Sequence, residues 1–247
     1  KATDASIQQL YEAATNYASA SITYNTRSGD VVLDGSTLIT WLSIDENGNY
    51  YRDDAVFKEK ATDFVSGLAK KINSVGGTRT FVGANNRTIT VSGGNYGLRL
   101  QNSKEVTGLL EDIYANKVTT RTPVTTGGDA GGENGGLGNT FVEIDLTGQH
   151  MWYHKNGTII LESDIVSGTY NNPERRTPAG TYYLYNKERN RTLRGTKKPD
   201  GTYEYETPVS YWMPFNKGIG LHDSSSWRSR WGGDIYKIGR AHVWTPV

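Results

Sequence analysis

Apolar residues recur at helical spacing in three segments of the first half of the chain. The positions are Ile7, Leu10, Tyr11 and Ala14 in the first segment, Phe57, Ala61, Phe64, Val65, Leu68 and Ile72 in the second, and Val106, Leu109, Leu110, Ile113 and Tyr114 in the third. Asp4 and Ser103 are expected to cap the first and third helices, and Glu105 lies in a first turn, where the helix dipole favours a carboxylate. Strand-like runs such as SITYN, VVLDG and RTITVSGGNYGLRL lie between these segments, so residues 1–124 are predicted to form a mixed α+β domain.

After residue 140 the apolar period changes to two. In TFVEIDL, one face of a strand is predicted to be apolar and the other mixed, with Val142, Ile144 and Leu146 alternating with Phe141, Glu143 and Asp145. Asn156-Gly157 lies between HMWYHK and TIILESDIV and predicts a type I′ hairpin. RTPAGTYYLY predicts a Pro-Gly turn that leads into another strand. Residues 140–237 are therefore predicted to form a mostly β domain, a sheet or sandwich.

The segment between the two halves, TTGGDAGGENGGLGN at residues 125–139, is nearly half glycine. Such a segment cannot bury enough apolar surface to offset its ordering entropy. We predict a flexible linker here, and with it the boundary between the two domains.

Composition narrows the class of protein. The 247 residues carry a formal net charge of +1, which gives no electrostatic case for a nucleic acid partner. No stretch approaches the ~18 apolar residues of a membrane span. The chain contains no cysteine, which excludes disulfides and thiolate metal sites. We expect neither a metal nor a cofactor.

Two histidines, His150 and His154, would suggest a metal pair if they lay on a helix. On the predicted hairpin strand this spacing leaves both on one face but ~13 Å apart along it. No third ligand is apparent in the sequence, so two surface histidines beside Trp152 are the favoured interpretation. The nearby segment GTKKPDG, residues 195–201, is predicted to be a solvated hairpin tip, with a basic lid over an anionic substrate as the alternative.

A serine cluster, Ser224 to Ser226, directly follows His222 and Asp223. A serine hydrolase of the nucleophile-elbow type needs Gly-x-Ser-x-Gly at a sharp turn, and no such pattern occurs. A serine-rich loop is the favoured interpretation. His222 itself follows Gly218-Ile219-Gly220-Leu221, where glycines allow close backbone approach, and it is the strongest candidate for a functional residue.

The stretch from residue 141 to about residue 237 resembles the catalytic domain of bacterial L,D-transpeptidases, the YkuD-like domain. The matching segments are TFVEIDLTGQHMWYHKNGTIILESDIVSG, RTPAGTYYLYNKERNRTLRG, YETPVSYWMPFNKGIGLHDSSSW and WGGDIYK. The first half resembles the peptidoglycan-binding module that often precedes this domain, most clearly in TITVSGGNYGLRLQNSKEVTGLLEDI followed by TTRTPV. Together the two resemblances cover nearly all of the chain.

The resemblance implies a cysteine mechanism. The family signature is a histidine in Gly-x-His-Asp followed by Ser/Thr-His-Gly-Cys. The thiolate of this cysteine attacks the peptide bond after the third residue of a tetrapeptide stem. The thioester then passes to a side-chain amine of another stem, which cross-links the two third residues. This chemistry needs a thiol whose pKa an imidazole lowers from ~8.5 and backbone donors for the oxyanion.

On the same resemblance, His222 is the proton donor and acceptor. The substrate groove is then expected to be lined by Tyr211, Trp212, Met213, Gly220, Asp223, Ser224, Ser225, Ser226 and Trp227.

The sequence departs from the family pattern after Lys237, where Ser-His-Gly-Cys is expected and IGRAHVWTPV stands instead. Residues 238–247 resemble the translation of a common sequencing adapter, ATC GGA AGA GCA CAC GTC TGA ACT CCA GTC, with TGA read as tryptophan. On this interpretation the domain is truncated, and His242 lies near the place of the second signature histidine by coincidence. The alternative is a degenerate, cysteine-free homologue in which His242 is that histidine.

We therefore expect a peptidoglycan L,D-transpeptidase with stem peptides as partners, a tetrapeptide donor and an amine acceptor, whose cysteine is missing from this sequence. The alternative is a non-catalytic peptidoglycan-binding scaffold, and a carboxypeptidase that hydrolyses the same thioester is a third possibility. The expected location is the cell-wall side of the bacterial cytoplasmic membrane, with an anchoring segment upstream of Lys1. A domain truncated at residue 237 is also expected to be poorly stable, because its missing tail leaves a sheet edge uncovered.

Overall fold

The computed structural model describes residues 4–129, 132–223 and 242–243. In these ranges the α-helices are α1 (Asp4–Tyr17), α2 (Gly35–Leu38), α3 (Asp54–Ile72) and α4 (Asn102–Tyr114). The strands of the first half are β1 (Ser21–Thr26), β2 (Gly29–Leu33), β3 (Ser43–Ile44), β4 (Tyr50–Tyr51), β5 (Thr78–Val82), β6 (Thr88–Ser92), β7 (Leu98–Leu100), β8 (Val118–Arg121) and β9 (Thr125–Gly127). Those of the second half are β10 (Phe141–Asp145), β11 (His150–Lys155), β12 (Thr158–Asp164), β13 (Glu188–Arg194), β14 (Glu206–Asn216), β15 (Ile219–His222) and β16 (His242–Val243).

The chain folds into two compact units. The N-terminal unit contains Lys1–Ser74 and Leu98–Gly128, and the C-terminal unit contains Val75–Gly97 and Asp129–Val247. In the N-terminal unit, β1 pairs antiparallel with β2 and parallel with β8. Its core joins this small sheet to α3 and α4, as the mixed α+β pattern predicts. No helix among the described residues is both long enough and apolar enough to cross a membrane.

The sequence of helix α3 explains both where the helix begins and which face it buries. The carboxylate of Asp53 accepts hydrogen bonds from the backbone N–H groups of Ala55 and Val56, which satisfies the first turn. Phe57, Ala61, Val65 and Leu68 are buried, and they recur at the spacing that places apolar side chains on one helical face. The predicted helix is confirmed.

The ends of the other two long helices differ from the prediction. Asp4 lies inside α1 as its first described residue. Helix α4 begins at Asn102 after Gln101, which makes no side-chain capping bond, so Ser103 lies within the helix and does not cap it.

Glu105 has a larger role than the helix dipole suggests. Its fully buried carboxylate accepts hydrogen bonds from Tyr24 Oη at 2.7 Å, Arg121 Nε at 2.9 Å and the backbone N–H of Val124 at 2.6 Å. These bonds join α4 to β1, to β8 and to the chain that directly follows β8. Sequence spacing does not show them, because the partner in β1 lies about eighty residues before Glu105 and those at and after the end of β8 lie beyond α4.

The C-terminal unit is built on strands. Sheet β10-β11-β12 and sheet β13-β14-β15-β16 contribute to a core of Met151, Ile165, Phe215 and Leu221, against which Val142 and Ile144 pack. The described residues after 139 form no α-helix, which agrees with the predicted mostly β domain. At the tip of β11–β12, Asn156 and Gly157 have φ values of 51° and 78°, as a type I′ turn requires, so this hairpin is confirmed.

The strand predicted in RTPAGTYYLY is wrong. Among residues 176–185, strand-type pairing is limited to an isolated bridge between Thr181 and Gly94. The backbone N–H of Tyr183 donates instead to the side-chain oxygen of Asn95 at 3.1 Å. A side chain therefore occupies the position that a neighbouring strand would have to fill.

The hairpin β5–β6 packs in the C-terminal unit, although the sequence places it within the first domain. The rings of Phe81 and Phe141 meet edge to face with centroids 5.6 Å apart, and the N–H of Ala84 donates to Glu143 at 2.7 Å. Glu143 is consequently buried, although the alternation in β10 places it on the polar face. The division into units thus follows these long-range contacts and not chain order.

The glycine-rich segment 125–139 also differs from a free linker in its described residues. Strand β9 pairs antiparallel with β7, and the side chain of Arg79 donates to the backbone oxygen of Gly135 at 2.7 Å. The chain passes from the N-terminal to the C-terminal unit between Gly128 and Asp129, inside this segment.

Candidate active site

His222 is the last residue of β15 and is almost fully buried, with 1% of its surface exposed. Side chains alternate along a strand, and Ile219 and Leu221 pack against the core of the C-terminal unit. Gly220 and His222 therefore lie on the opposite face of β15. This local pattern presents the imidazole on the side of the sheet away from the core.

Trp212 is the neighbour of His222 across the sheet. The two residues are direct partners in the antiparallel pairing of β14 with β15, and their ring centroids are 5.8 Å apart. A side chain at Gly220 would place its Cβ 2.8 Å from Trp212 Cη2 and 2.8 Å from the backbone oxygen of Met213. Position 220 therefore requires glycine for the indole to lie where it does.

A backbone carbonyl determines which ring nitrogen of His222 carries the proton. Nδ1 lies 2.7 Å from the backbone oxygen of Asp223, which can only accept, so Nδ1 donates. In the neutral ring, Nε2 is then the basic nitrogen. Burial lowers the pKa of His222 below its ordinary value of 6.5, and the bond to Asp223 only partly opposes this. The arrangement suits a general base at neutral pH.

Asp223 lies one residue beyond β15 and is 6% exposed. Its Oδ1 accepts a hydrogen bond from the backbone N–H of Tyr211 at 2.8 Å. Burial opposes ionisation of this carboxyl, but hydrogen bonds from Tyr211 and Ser210 outweigh it and hold the pKa below 3.8. Asp223 is therefore ionised at neutral pH.

The other predicted groove residues are distributed over both faces of β14. Met213 packs against the core, on the face opposite Trp212. Tyr211 also alternates with Trp212, and its ring lies under the guanidinium of Arg189 at 5.2 Å. The structure thus brings Trp212 and Gly220 together with His222, but not the side chain of Met213. Ser224, Ser225, Ser226 and Trp227 lie outside the described residues.

His242 is described through its backbone. It lies on β16, which pairs parallel with β15, and its partner in the register is Gly220. The backbone at position 242 is therefore one strand away from the strand that carries His222.

The histidine pair of β11 needs a correction. His150 is partly exposed and bonds to Asp164 at 2.8 Å, but His154 is buried and is not a surface histidine. Its Nε2 lies 3.0 Å from Glu143, and its ring stacks on Phe141 with centroids 4.3 Å apart. The β5–β6 hairpin covers this face of the sheet, which the sequence pattern does not reveal. Among the described residues, no three His, Cys, Asp or Glu side chains converge as a metal site.

Sequence reasoning missed Asn95, which supports the strand carrying Trp212. Its side-chain nitrogen donates to the backbone oxygen of Phe215 at 3.2 Å and also contacts the hydroxyl of Tyr185. The signal available in the sequence is the glycine cluster SGGNYG. Gly94 has a φ of 89°, and a Cβ there would collide with the backbone of Thr181, so this backbone makes close contact with the segment between β12 and β13.

Comparison with known proteins shows which family the chain belongs to. The family described as the L,D-transpeptidase catalytic domain, YkuD, matches residues 139–241. The structure of the Ldtfm-avibactam carbamoyl enzyme is 33% identical, with a TM-score of 0.70, over 97% of this chain and 90% of that chain. A crystal structure of an Enterococcus faecium L,D-transpeptidase cysteine-to-serine mutant is 34% identical, with a TM-score of 0.69, over 97% of this chain and 91% of that one. A comparison with curated proteins found no match. The resemblance noted in the sequence is confirmed, and the chain belongs to the L,D-transpeptidase family.

Proposed function

We propose that the C-terminal unit is built for acyl transfer between peptidoglycan stem peptides, with His222 as the group that moves the proton. The observation that carries the proposal is the 2.7 Å bond from His222 Nδ1 to the backbone oxygen of Asp223. It fixes the tautomer, so Nε2 is the basic ring nitrogen and is proposed to take a proton from a thiol. Burial lowers the pKa of the ring, so the ring is neutral and ready to accept that proton at pH 7.

In the proposed reaction a cysteine thiolate attacks the carbonyl carbon of the third residue of a tetrapeptide stem. The C–N bond to the terminal D-alanine breaks, and the imidazolium of His222 returns the proton to the leaving amine. The side-chain amine of a second stem then attacks the thioester, loses a proton to the imidazole and expels the thiolate. The product is a cross-link between two third residues, formed without a cofactor.

The chain itself contains no cysteine, so we propose that this polypeptide forms no thioester. Trp212 and Gly220, on the same face as His222, are proposed to form the floor of the peptide groove. Since the substrate is a cell-wall polymer, the proposal places the protein on the cell-wall side of the cytoplasmic membrane.

A chimera tests the proposal. Residues 238–247 are replaced by the corresponding Ser-His-Gly-Cys segment and tail of the Enterococcus faecium enzyme, with and without His222→Gln. Ldtfm forms a carbamoyl enzyme with avibactam, so the chimera should gain the mass of avibactam and should release D-alanine from a tetrapeptide.

The unchanged chain should show neither reaction, and His222→Gln should slow both in the chimera by roughly a hundredfold or more, as expected for loss of a general base. A chimera with its cysteine replaced by serine controls for noncovalent binding. A folded chimera with an accessible thiol that reacts equally fast with and without His222 contradicts the proposal.

The lack of cysteine also favours a second function, that of a non-catalytic peptidoglycan-binding scaffold. In that case the N-terminal unit is the proposed binding module. Sedimentation of the full chain with intact sacculi, and with sacculi stripped of stem peptides by an amidase, separates the two. Binding that survives the amidase treatment indicates a glycan-binding scaffold, whereas binding lost with the stems indicates recognition by the transpeptidase groove.

A further inference from the structure

The pairing of β14 with β15 contains a β-bulge. On one side of it Pro214 is opposite Gly220, and on the other side Asn216 is opposite Ile219. Phe215 therefore lies between the two pairs and has no partner on β15, all of whose residues are described. An extra residue of this kind interrupts the ladder and fixes how one strand is aligned with the other.

This alignment determines which side chain lies beside His222. With the bulge at Phe215, Trp212 is the direct partner of His222. A pairing shifted by one residue would place Tyr211 or Met213 opposite His222 and would turn the indole of Trp212 to the other face of the sheet. The site therefore depends on where the extra residue is held.

Asn95 holds the backbone of the bulged residue. Its Nδ2 donates to the backbone oxygen of Phe215 at 3.2 Å and also contacts the hydroxyl of Tyr185. The ring of Phe215 belongs to the core and lies with its centroid 5.3 Å from that of Tyr182. The core thus fixes the side chain of Phe215, and Asn95 fixes its carbonyl.

Asn95 is itself held by the residues around it. Its Oδ1 accepts from the backbone N–H of Tyr183 at 3.1 Å. On either side of it, the N–H of Thr181 donates to the oxygen of Gly93 at 3.1 Å, and the N–H of Tyr96 donates to the oxygen of Thr181 at 3.0 Å. An asparagine side chain offers both an acceptor and donors, and here the two are used on different segments of the chain.

We propose that Asn95 is a positioning residue, which fixes the register of β14 against β15 and so keeps Trp212 beside His222. The proposal rests on the proposed function, in which His222 moves the proton and Trp212 forms part of the groove floor. Asn95 makes no contact with His222 and acts through the backbone of Phe215. Its place in the chain, more than a hundred residues before His222, gives no hint of this role.

The test substitutes Asn95→Asp in the full chain. Aspartate has the shape of asparagine and keeps an acceptor for the Tyr183 N–H, but its ionised carboxylate has no donor and repels the Phe215 carbonyl. Asn156→Asp is the matched control, because it makes the same change at the exposed tip of β11–β12, where Asp-Gly also suits a type I′ turn.

Nuclear Overhauser effects (NOEs) between backbone protons report the register directly. We expect NOEs between Trp212 and His222 in the unsubstituted chain and in the control, and their loss in Asn95→Asp. NOEs between Ile144 and Met151, which pair in β10–β11 of the same unit, should remain in all three proteins. A residue that only stabilised the fold would lower the free energy of unfolding without changing these pairs.

A folded Asn95→Asp protein that retains the Trp212–His222 NOEs overturns the proposal, as does their loss in the control. If Asn95→Asp does not fold, Asn95→Ser takes its place with the same readout, because serine is too short to reach Phe215 and brings no charge. In the unsubstituted chain, absence of NOEs between the side-chain amide protons of Asn95 and the α proton of Asn216 also overturns the proposal.

This experiment involves no thiol and no acyl transfer. Its failure therefore leaves the proposed function of the site intact. Conversely, an inactive chimera that shows the Trp212–His222 pairing, and loses it in Asn95→Asp, would count against the proposed function while leaving the positioning role of Asn95 in place.

Discussion

His222 is neutral in the buried site, and this has a thermodynamic consequence. Its folded-state pKa lies below 6.5, the ordinary value that the unfolded chain approaches. Below about pH 6.5 the unfolded state therefore binds more protons than the folded state, so stability rises with pH in this range. The contribution of His222 is complete above pH 6.5 and is lost as the pH falls from there towards the folded-state pKa.

We expect the free energy of unfolding of the C-terminal unit to decrease between about pH 7 and about pH 5, and part of this decrease to disappear in His222→Gln. Urea unfolding followed by tryptophan fluorescence at several pH values measures both slopes. The two proteins differ only at position 222, so the difference between their slopes isolates the contribution of His222. Parallel slopes would contradict the burial of a neutral ring.

Two glycines in long helices of the N-terminal unit have opposite expected responses to alanine. Gly67 in α3 is exposed, and a Cβ there meets nothing within 4 Å. Gly108 in α4 is different, because a Cβ there would lie 2.6 Å from Arg121 Nη2. The guanidinium cannot simply move aside, since it bonds to Glu105 at 2.9 Å and to Asp112.

We therefore expect Gly67→Ala to stabilise the N-terminal unit by about 1 kcal/mol, the difference in helix propensity. The same change at Gly108 should destabilise it by about 1 kcal/mol, because the steric cost exceeds the propensity gain. Chemical denaturation of the two variants side by side measures both, and each serves as the control for the other. Stabilisation by both substitutions would show that the side chain of Arg121 and its partners rearrange to accommodate a methyl group at position 108.

At the scale of the element, sequence patterns predict those helices and turns that depend only on residues close together in the chain. The spacing of Phe57, Ala61 and Val65 is enough for α3, and Asn156-Gly157 is enough for a turn with two positive φ values. The burial of Glu143 was not predictable, because the groups that cover it lie about sixty residues earlier in the chain, at Ala84 and Arg87. In a strand whose apolar and polar residues alternate, a charged side chain is expected to face solvent, because burying it without partners is costly. The exception is a charge whose partners come from a distant hairpin, as here.

The candidate site shows the same limit. The glycines before His222 indicate close backbone approach, and Gly220 indeed lies against Trp212. The sequence could not show that Met213 faces the core, or that the carboxylate of Asp223 bonds to the backbone of Tyr211. Both depend on the register of β14 with β15, which is set by the turn and the irregular pairing between Pro214 and Asn216.

At the scale of the whole molecule, the C-terminal unit is discontinuous in sequence. Its Val75–Gly97 segment is joined at both ends to residues of the N-terminal unit. Cleavage of the chain within residues 129–132 therefore leaves β5–β6 on the N-terminal fragment, although it packs on β10 of the other. This packing consists of contacts of Phe81 with Phe141, Ala84 with Glu143 and Gly94 with Thr181.

We expect the two fragments to remain associated after cleavage at a protease site inserted at residues 130–131, and to elute together in size-exclusion chromatography. Glu143→Lys should separate them, because it removes the acceptor of the Ala84 N–H and places a buried cation beside Arg87. Gly67→Ala, which lies in the other unit, is the matched control and should leave association unchanged. Fragments that separate without any substitution would show that residues 75–97 are not an integral part of the unit that carries His222.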